Sequence, residues 1–277
     1  MKRLLSIETY KVRHHKLSKI LFTAYFFLLS SIALVASIKF NLWGVEIHLA
    51  EQGFFNFPYI WHYNTWLADF FTLFLAIIVV SMVTNEYSYR TIKQNLIDGL
   101  SKKEFIFSKF IFLVVLSLLA TFFVFIISLI LGLVFSDYTG INIITTDLYF
   151  LPAFFLKLLG TFSLIMFLGL LFKRSAFALG FFFLIMIIEK IIYALIRWQL
   201  ATEKIADKVD AFLPLTSFRS LLPEPISRLN AIKKIGKQVG KTIPDFEGVP
   251  LVNFIIVIIW IVIFVYFSYY ILKKRDL

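Results

Sequence analysis

Cysteine is absent from all 277 residues, so disulfide staples and thiolate chemistry are excluded. Charge is scarce as well: Asp, Glu, Lys and Arg make up 16% of the chain, against about 25% in an ordinary soluble domain. No internal repeat of roughly 20–50 residues is visible and no low-complexity linker divides the chain, so residues 1–277 read as a single domain. What fills the sequence instead is apolar bulk. Hydrophobic residues reach 60%, 34 residues are Phe, and the mean hydropathy is +0.86. Such a composition suits lipid contact and packing between spans, and it leaves little material for a separate soluble domain.

A hydrocarbon core about 30 Å thick takes about 20 apolar residues as helix. Six segments meet that requirement: Ile20–Ile38, Trp66–Val83, Phe110–Phe135, Phe150–Phe172, Ala176–Ile196 and Phe254–Ile271. The third is the longest, which predicts tilt or projection into water. The first follows a basic stretch, yet it is too long for a signal-peptide core and lacks a small-x-small cleavage site before Lys39, so it reads as an uncleaved span. The expected fold is all-α, a six-helix membrane bundle with a long loop, 197–253, between spans five and six.

The net charge of +11 raises nucleic acid as a partner, but the basic residues sit in short clusters beside apolar runs rather than on a folded stripe. They act as an orientation signal. Lys2, Arg3, Lys11, Arg13, Lys16 and Lys19 precede span one; Arg90, Lys93, Lys102, Lys103 and Lys109 lie between spans two and three. Lys173 and Arg174, and then Lys273, Lys274 and Arg275, fall on the same side, whereas loops 40–65 and 136–149 carry no Lys or Arg. The basic side is therefore expected in the cytoplasm, with both termini. Loop 197–253 holds nine Lys or Arg on the opposite side, which its length permits. Within it, Thr202–Phe212 and Ile226–Val239 have helical apolar spacing around a Pro-rich stretch, and short helices capping or dipping into the outer leaflet are expected.

The link 85–109 between spans two and three carries the most information. Tyr89, Ile92 and Leu96 share a helical face, Gly99 suits the left-handed conformation that ends a helix, and Ser101 with Glu104 forms a capping box flanked by Leu100 and Phe105 as a hydrophobic staple. This predicts helix, sharp turn, helix, a corner with little slack that passes a push on the link to the next span. The segment resembles the type 2 permeases of ABC exporters, whose pattern is Glu-x-x-x-Gly-Thr-Ile-(Arg/Lys)-x-x-Leu, then Gly, then Ser-(Arg/Lys)-x-x-Ile/Phe and a Lys opening span three. The matching positions are Glu86, Thr91, Ile92, Lys93, Leu96, Gly99, Ser101, Lys102, Phe105 and Lys109; Arg90 stands where the family has Gly. Glu8 and Lys11 resemble the Glu-x-x-Lys of the family's N-terminal interfacial helix, and Lys274-Arg275-Asp276-Leu277 resembles its C-terminal ending.

The resemblance implies a pair of membrane subunits, a second copy or a related chain, seated on separate ATPase subunits that hold ATP and Mg, with no cofactor in this chain. Residues 86–109, Glu104 included, together with Glu8 and Lys11 would be the coupling element, and the membrane would be the bacterial inner membrane.

Other signals weigh less. Gly236–Thr242 looks like a P-loop, but only three residues separate its glycines where four are required, so the ATPase is expected on another polypeptide. Lys157, Glu189 and Lys190 are ionisable groups within spans and hence candidates for the translocation path. Lys157 and Glu189 lie at similar depth and could pair; the favoured reading is that both lysines snorkel to outer headgroups and Glu189 neutralises one of them. His48 and His62 with Glu46 and Glu51 match no helical metal motif. Trp43, Trp61, Tyr63 and Trp66 read as an interfacial belt, and Ala176 with Gly180 as a small-residue pair for close helix contact. A membrane-embedded enzyme is disfavoured because the spans lack His and nearly lack Asp and Glu. An ion-gradient carrier or channel is the runner-up; neither broken spans nor repeats speak for it in the sequence.

Overall fold

The computed structural model describes residues 2–37, 39–42, 45–48, 53–138, 140–200, 203–228, 246 and 248–275. Two N-terminal helices, α1 (Lys2–His14) and α2 (Lys16–Ser37), meet at His15. A hairpin follows, β1 (Lys39–Leu42) paired antiparallel with β2 (Val45–His48) so that Lys39 faces His48 and Leu42 faces Val45. Apolar and polar residues alternate through both strands, the two-residue period of a ribbon, and this hairpin is the one departure from an all-helical fold among the described residues. The chain continues through α3 (Ile60–Phe70), α4 (Thr72–Ser88), α5 (Thr91–Ile97) and the 34-residue α6 (Lys102–Phe135). After α7 (Ile141–Thr145) come α8 (Phe150–Phe172), α9 (Ser175–Leu200), α10 (Glu203–Phe212), α11 (Pro214–Ser220), a single 3-10 turn at Ile226–Arg228, and α12 (Leu251–Lys274).

Four of these stretches are long and apolar enough to cross a membrane: α6, α8 with α7 ahead of it, α9 and α12. The bent pair α3–α4 makes a fifth. The first expected span falls on α2, whose 22 residues would extend about 33 Å at ~1.5 Å per residue. The expected second span is not one continuous helix: α3 and α4 meet at 49° around Phe71. Neither Pro nor Gly is at the joint. Instead, Phe71 N–H donates to Ala68 O and Phe74 N–H to Phe71 O, both one residue tighter than α-helical bonds, and Thr72 Oγ1 turns to Asp69 Oδ1 at 3.5 Å. Tightened bonds plus a local side-chain acceptor are a sufficient cause for a kink.

The core lies around α8, of which 72% of the span is buried, packed against α12, α4, α6 and α9; α9, only 11% buried, runs along the flank. Ala176 and Gly180 are exposed on α9, and a Cβ added at Gly180 would meet nothing within 4 Å, so the expected small-residue contact is not made within this chain. The helix expected over Thr202–Phe212 is α10. Of Ile226–Val239, the described part is the 3-10 turn; the remainder, Gly236–Thr242 included, lies outside the described residues.

Candidate functional site

The end of the bundle that carries the clustered Lys and Arg is built by residues 85–109 and α1. Here α4 ends where Tyr89 N–H donates to Asn85 O, and Arg90 adopts φ 56°, ψ 19°, the left-handed conformation. That is the geometry glycine adopts most easily, so the chain turns at this position as a glycine would, with a side chain carried in a conformation that costs an L-residue about 1–2 kcal/mol. The turn also separates Tyr89 from α5. Tyr89 is 71% exposed while Ile92 is 3% exposed, so these two do not share the face expected of them.

The second turn is as the local chemistry requires. Gly99, at φ 93°, donates to Leu96 O and Leu100 N–H donates to Asn95 O, the paired bonds of a Schellman ending. Ser101 then caps α6: Glu104 N–H donates to Ser101 Oγ at 3.1 Å, and the Glu104 carboxylate accepts from Ser101 N–H at 2.9 Å and from Ser101 Oγ at 2.8 Å. Phe105 is buried and Leu100 packs against the core, which completes the staple.

Around this corner four charged residues from three helices converge. Lys109 Nζ, on α6, donates to Glu8 Oε2 of α1 at 2.5 Å and to Glu86 Oε1 of α4 at 2.6 Å, and all three side chains are at most 3% exposed. Lys11, one turn beyond Glu8, reaches the same Glu86 oxygen at 2.7 Å and keeps about a third of its side chain exposed. Two carboxylates and two ammonium groups cancel, which is what allows the set to be buried. Secondary donors fill the remaining lone pairs. Thr91 Oγ1 and Asn95 Nδ2 (3.3 Å) donate to Glu86 Oε2, while Ser108 Oγ lies 3.4 Å from Glu8 Oε1 with the Phe105 carbonyl as its closer acceptor at 2.8 Å. The Lys109 ammonium also lies 5.0 Å from the centroid of the Phe105 ring.

The sequence singled out the four charges and Thr91 but not Asn95 or Ser108, whose polar side chains carry no signal until the fold brings the carboxylates to them. Beside the cluster, a cavity of about 290 Å³ is lined by Lys11, His14, His15, Asn85, Glu86 and Thr91. Lys93 and Arg90 are exposed, as are Tyr89 and Ile97 (79%), so α5 projects with both charge and apolar surface.

The C-terminal basic residues belong to the same end. Arg275 donates through Nη1 to Leu170 O and through Nη2 to Leu171 O at 2.9 Å, satisfying carbonyls at the end of α8 where Lys173 turns left-handed at φ 59°. Lys102 Nζ in turn donates to Arg275 O at 2.9 Å. Asp276 and Leu277 lie outside the described residues.

The intramembrane candidates pair differently from expectation. Lys157 does not meet Glu189; it donates to Asp69 Oδ2 at 2.7 Å. Glu189 instead accepts Leu215 N–H at 2.8 Å and Thr216 N–H at 2.9 Å, capping α11 from a neighbouring helix. Lys190, half exposed, is 3.5 Å from Asp210. Similar depth, counted along the sequence, does not set the rotation of each helix about its axis, and it is that rotation that pairs Lys157 with Asp69. Asp69 was the available signal, an ionisable residue inside the expected second span.

At the opposite end, Trp61 and Tyr63 are buried rather than facing an interface: Trp61 Nε1 donates to Ile144 O at 2.8 Å and Tyr63 Oη to Pro225 O at 2.9 Å. Arg228 forms the hub there. It pairs with Asp147 at 2.5 Å, sits 4.9 Å from the Tyr59 ring and 4.7 Å from the Phe246 ring, and donates to His62 Nδ1 at 3.2 Å. Since His62 Nε2 faces the Pro223 carbonyl at 2.9 Å, which only accepts, His62 is the neutral Nε2–H tautomer. The side chains of Glu46 and His48, and all of Trp43 and Glu51, lie outside the described residues.

Residues 15–277 match the family described as ABC-2 family transporter protein. No curated protein matches the chain.

Proposed function

We propose, from the premise that this chain belongs to the ABC-2 transporter family and is a multi-pass membrane permease component, that it is the subunit of an exporter driven by a separate ATPase. In this reading the corner 86–109 with Glu8 and Lys11 is the coupling element. The observation that carries it is the buried, neutral Glu8–Lys11–Glu86–Lys109 cluster, which ties α1, α4 and α6 into one block beneath the projecting α5. A load applied to α5 is passed to α4 through Thr91 and Asn95, and to α6 through Lys109. Because α6 runs uninterrupted from Lys102 to Phe135, the block acts as a lever rather than a loose loop. Exposed Tyr89 and Ile97 beside Lys93 offer an ATPase an apolar anchor with a charged rim.

The remaining expectations follow the same reading. α2 is the first of six spans; the basic end and both termini face the cytoplasm of a bacterial cell, as the Lys and Arg distribution favours. Two membrane subunits, identical or related, act together, and ATP with Mg is held by the partner. ATPase closure rocks the paired bundles and moves cargo outward.

Gentle purification of the tagged chain tests this directly. A soluble P-loop ATPase recovered in equal amount, and lost on Ile97→Glu without a change in melting temperature, is the expected result. The broken α3–α4 span favours an ion-gradient carrier as the second reading. Gradient-dependent flux by the pure chain in liposomes, with no companion present, would overturn the first reading in favour of the second.

A further inference from the structure

The kink between α3 and α4 has a second consequence, independent of any ATPase. It opens a cavity of about 210 Å³ between α3, α4, α8, α9 and α11. The charged part of its lining is the Lys157–Asp69 pair at 2.7 Å, with side chains 9% and 30% exposed, together with Arg219 of α11. Arg219 is exposed and has no acidic partner among the described residues. Two cations and one carboxylate therefore line the cavity, and that carboxylate is already engaged by Lys157. Thr72 and Thr161 add two hydroxyls, and the remainder of the lining is apolar, led by Phe70, Leu73, Phe182, Phe183, Met186 and Phe218. Phe70, Leu73 and Phe183 are also exposed on the flank of the bundle (62%, 42% and 45%), so the cavity is reached sideways, from the direction of the acyl chains.

We propose that this cavity binds an amphiphile with an anionic head, the head held between Arg219 and Lys157 and the tail along Phe182, Phe183 and Met186. An excess positive charge in an apolar setting selects for an anion, because an unpaired guanidinium within reach of lipid is costly and a bound counter-charge removes that cost. A zwitterionic head brings its own ammonium next to Arg219 and gains less. Asp69 opposes the ligand, so it tunes affinity downward and favours release.

The chain purified in a neutral detergent can be titrated with phosphatidylglycerol, with oleate and with phosphatidylcholine, and bound molecules counted by native mass spectrometry. Binding of at least one of the two anions fivefold or more tighter than phosphatidylcholine is expected. Arg219→Ala should abolish the preference and Asp69→Asn, which keeps an acceptor for Lys157, should raise it two- to fivefold. Phosphatidylglycerol alone binding tightly marks a membrane lipid as the ligand; oleate binding and displacing it marks a free amphiphile. Equal binding of all three, or a preference untouched by Arg219→Ala in a chain of normal melting temperature, would overturn the proposal.

Discussion

The two ends of the bundle hold distant segments together by different means. At the basic end, two carboxylates and two ammonium groups share one buried site, and every member neutralises another. At the opposite end one guanidinium, Arg228, has a single carboxylate, Asp147, and otherwise rests on the faces of Tyr59 and Phe246 and on the ring nitrogen of His62. The first arrangement hinges on Lys109: without it Glu8 is left buried and unpaired, and Glu86 keeps only the partly exposed Lys11. The second is distributed over soft contacts, each worth about 0.5–2 kcal/mol. A stiff basic end and a more forgiving opposite end are what a lever and its load would need.

The comparison can be broken most directly at its stiffest point. Lys109→Met leaves Glu8 and Glu86 without their shared cation and should cost about 3–5 kcal/mol, read as a lower melting temperature in detergent. Pairing it with Glu86→Gln should recover part of that loss; a strictly additive double mutant would mean that the two residues do not act as a unit. Arg228→Ala leaves Asp147 unpaired and should cost about 2–3 kcal/mol. That loss should be local: faster proteolysis within 213–228, with the basic end unaffected.

Smaller effects sharpen the contrast. Ser101→Ala removes the cap of α6 and should lower stability by about 1 kcal/mol, and amide exchange should quicken over Lys102–Phe105 alone. Arg90→Gly relieves a left-handed side chain and should raise stability by up to about 1 kcal/mol, whereas Arg90→Val, β-branched at the same φ, should lower it. If Arg90→Val melts higher than Arg90→Gly, the corner does not turn as described.

Much of the basic end was legible because its parts are close in sequence. Ser101 and Glu104 are three residues apart, and Gly99 precedes them, so capping box and turn follow from local chemistry. Glu86 and Lys109 are separated by 23 residues and Glu8 and Lys109 by 101. No periodicity joins such residues, and only the family resemblance put them on one roster. The opposite end was the harder one to read. Aromatics near a membrane boundary suit an interfacial belt and a buried cap equally well, and Trp61 chose the cap because a backbone carbonyl, Ile144 O, was there to accept its N–H. Lys157 shows the same limit: its partner lies 88 residues earlier in the chain, on the far side of a kink that neither Pro nor Gly announces.

By itself the sequence determined that this chain belongs in a bilayer, where most of its apolar helices lie, and which end gathers the short basic clusters. Hydropathy and charge are additive properties of short windows, and lipid and water read them locally. Which carboxylate meets which ammonium was decided only by the tertiary structure. Pairing depends on how each helix is rotated about its axis and where α3 gives way to α4, and those angles are set by the packing of the whole bundle around α8.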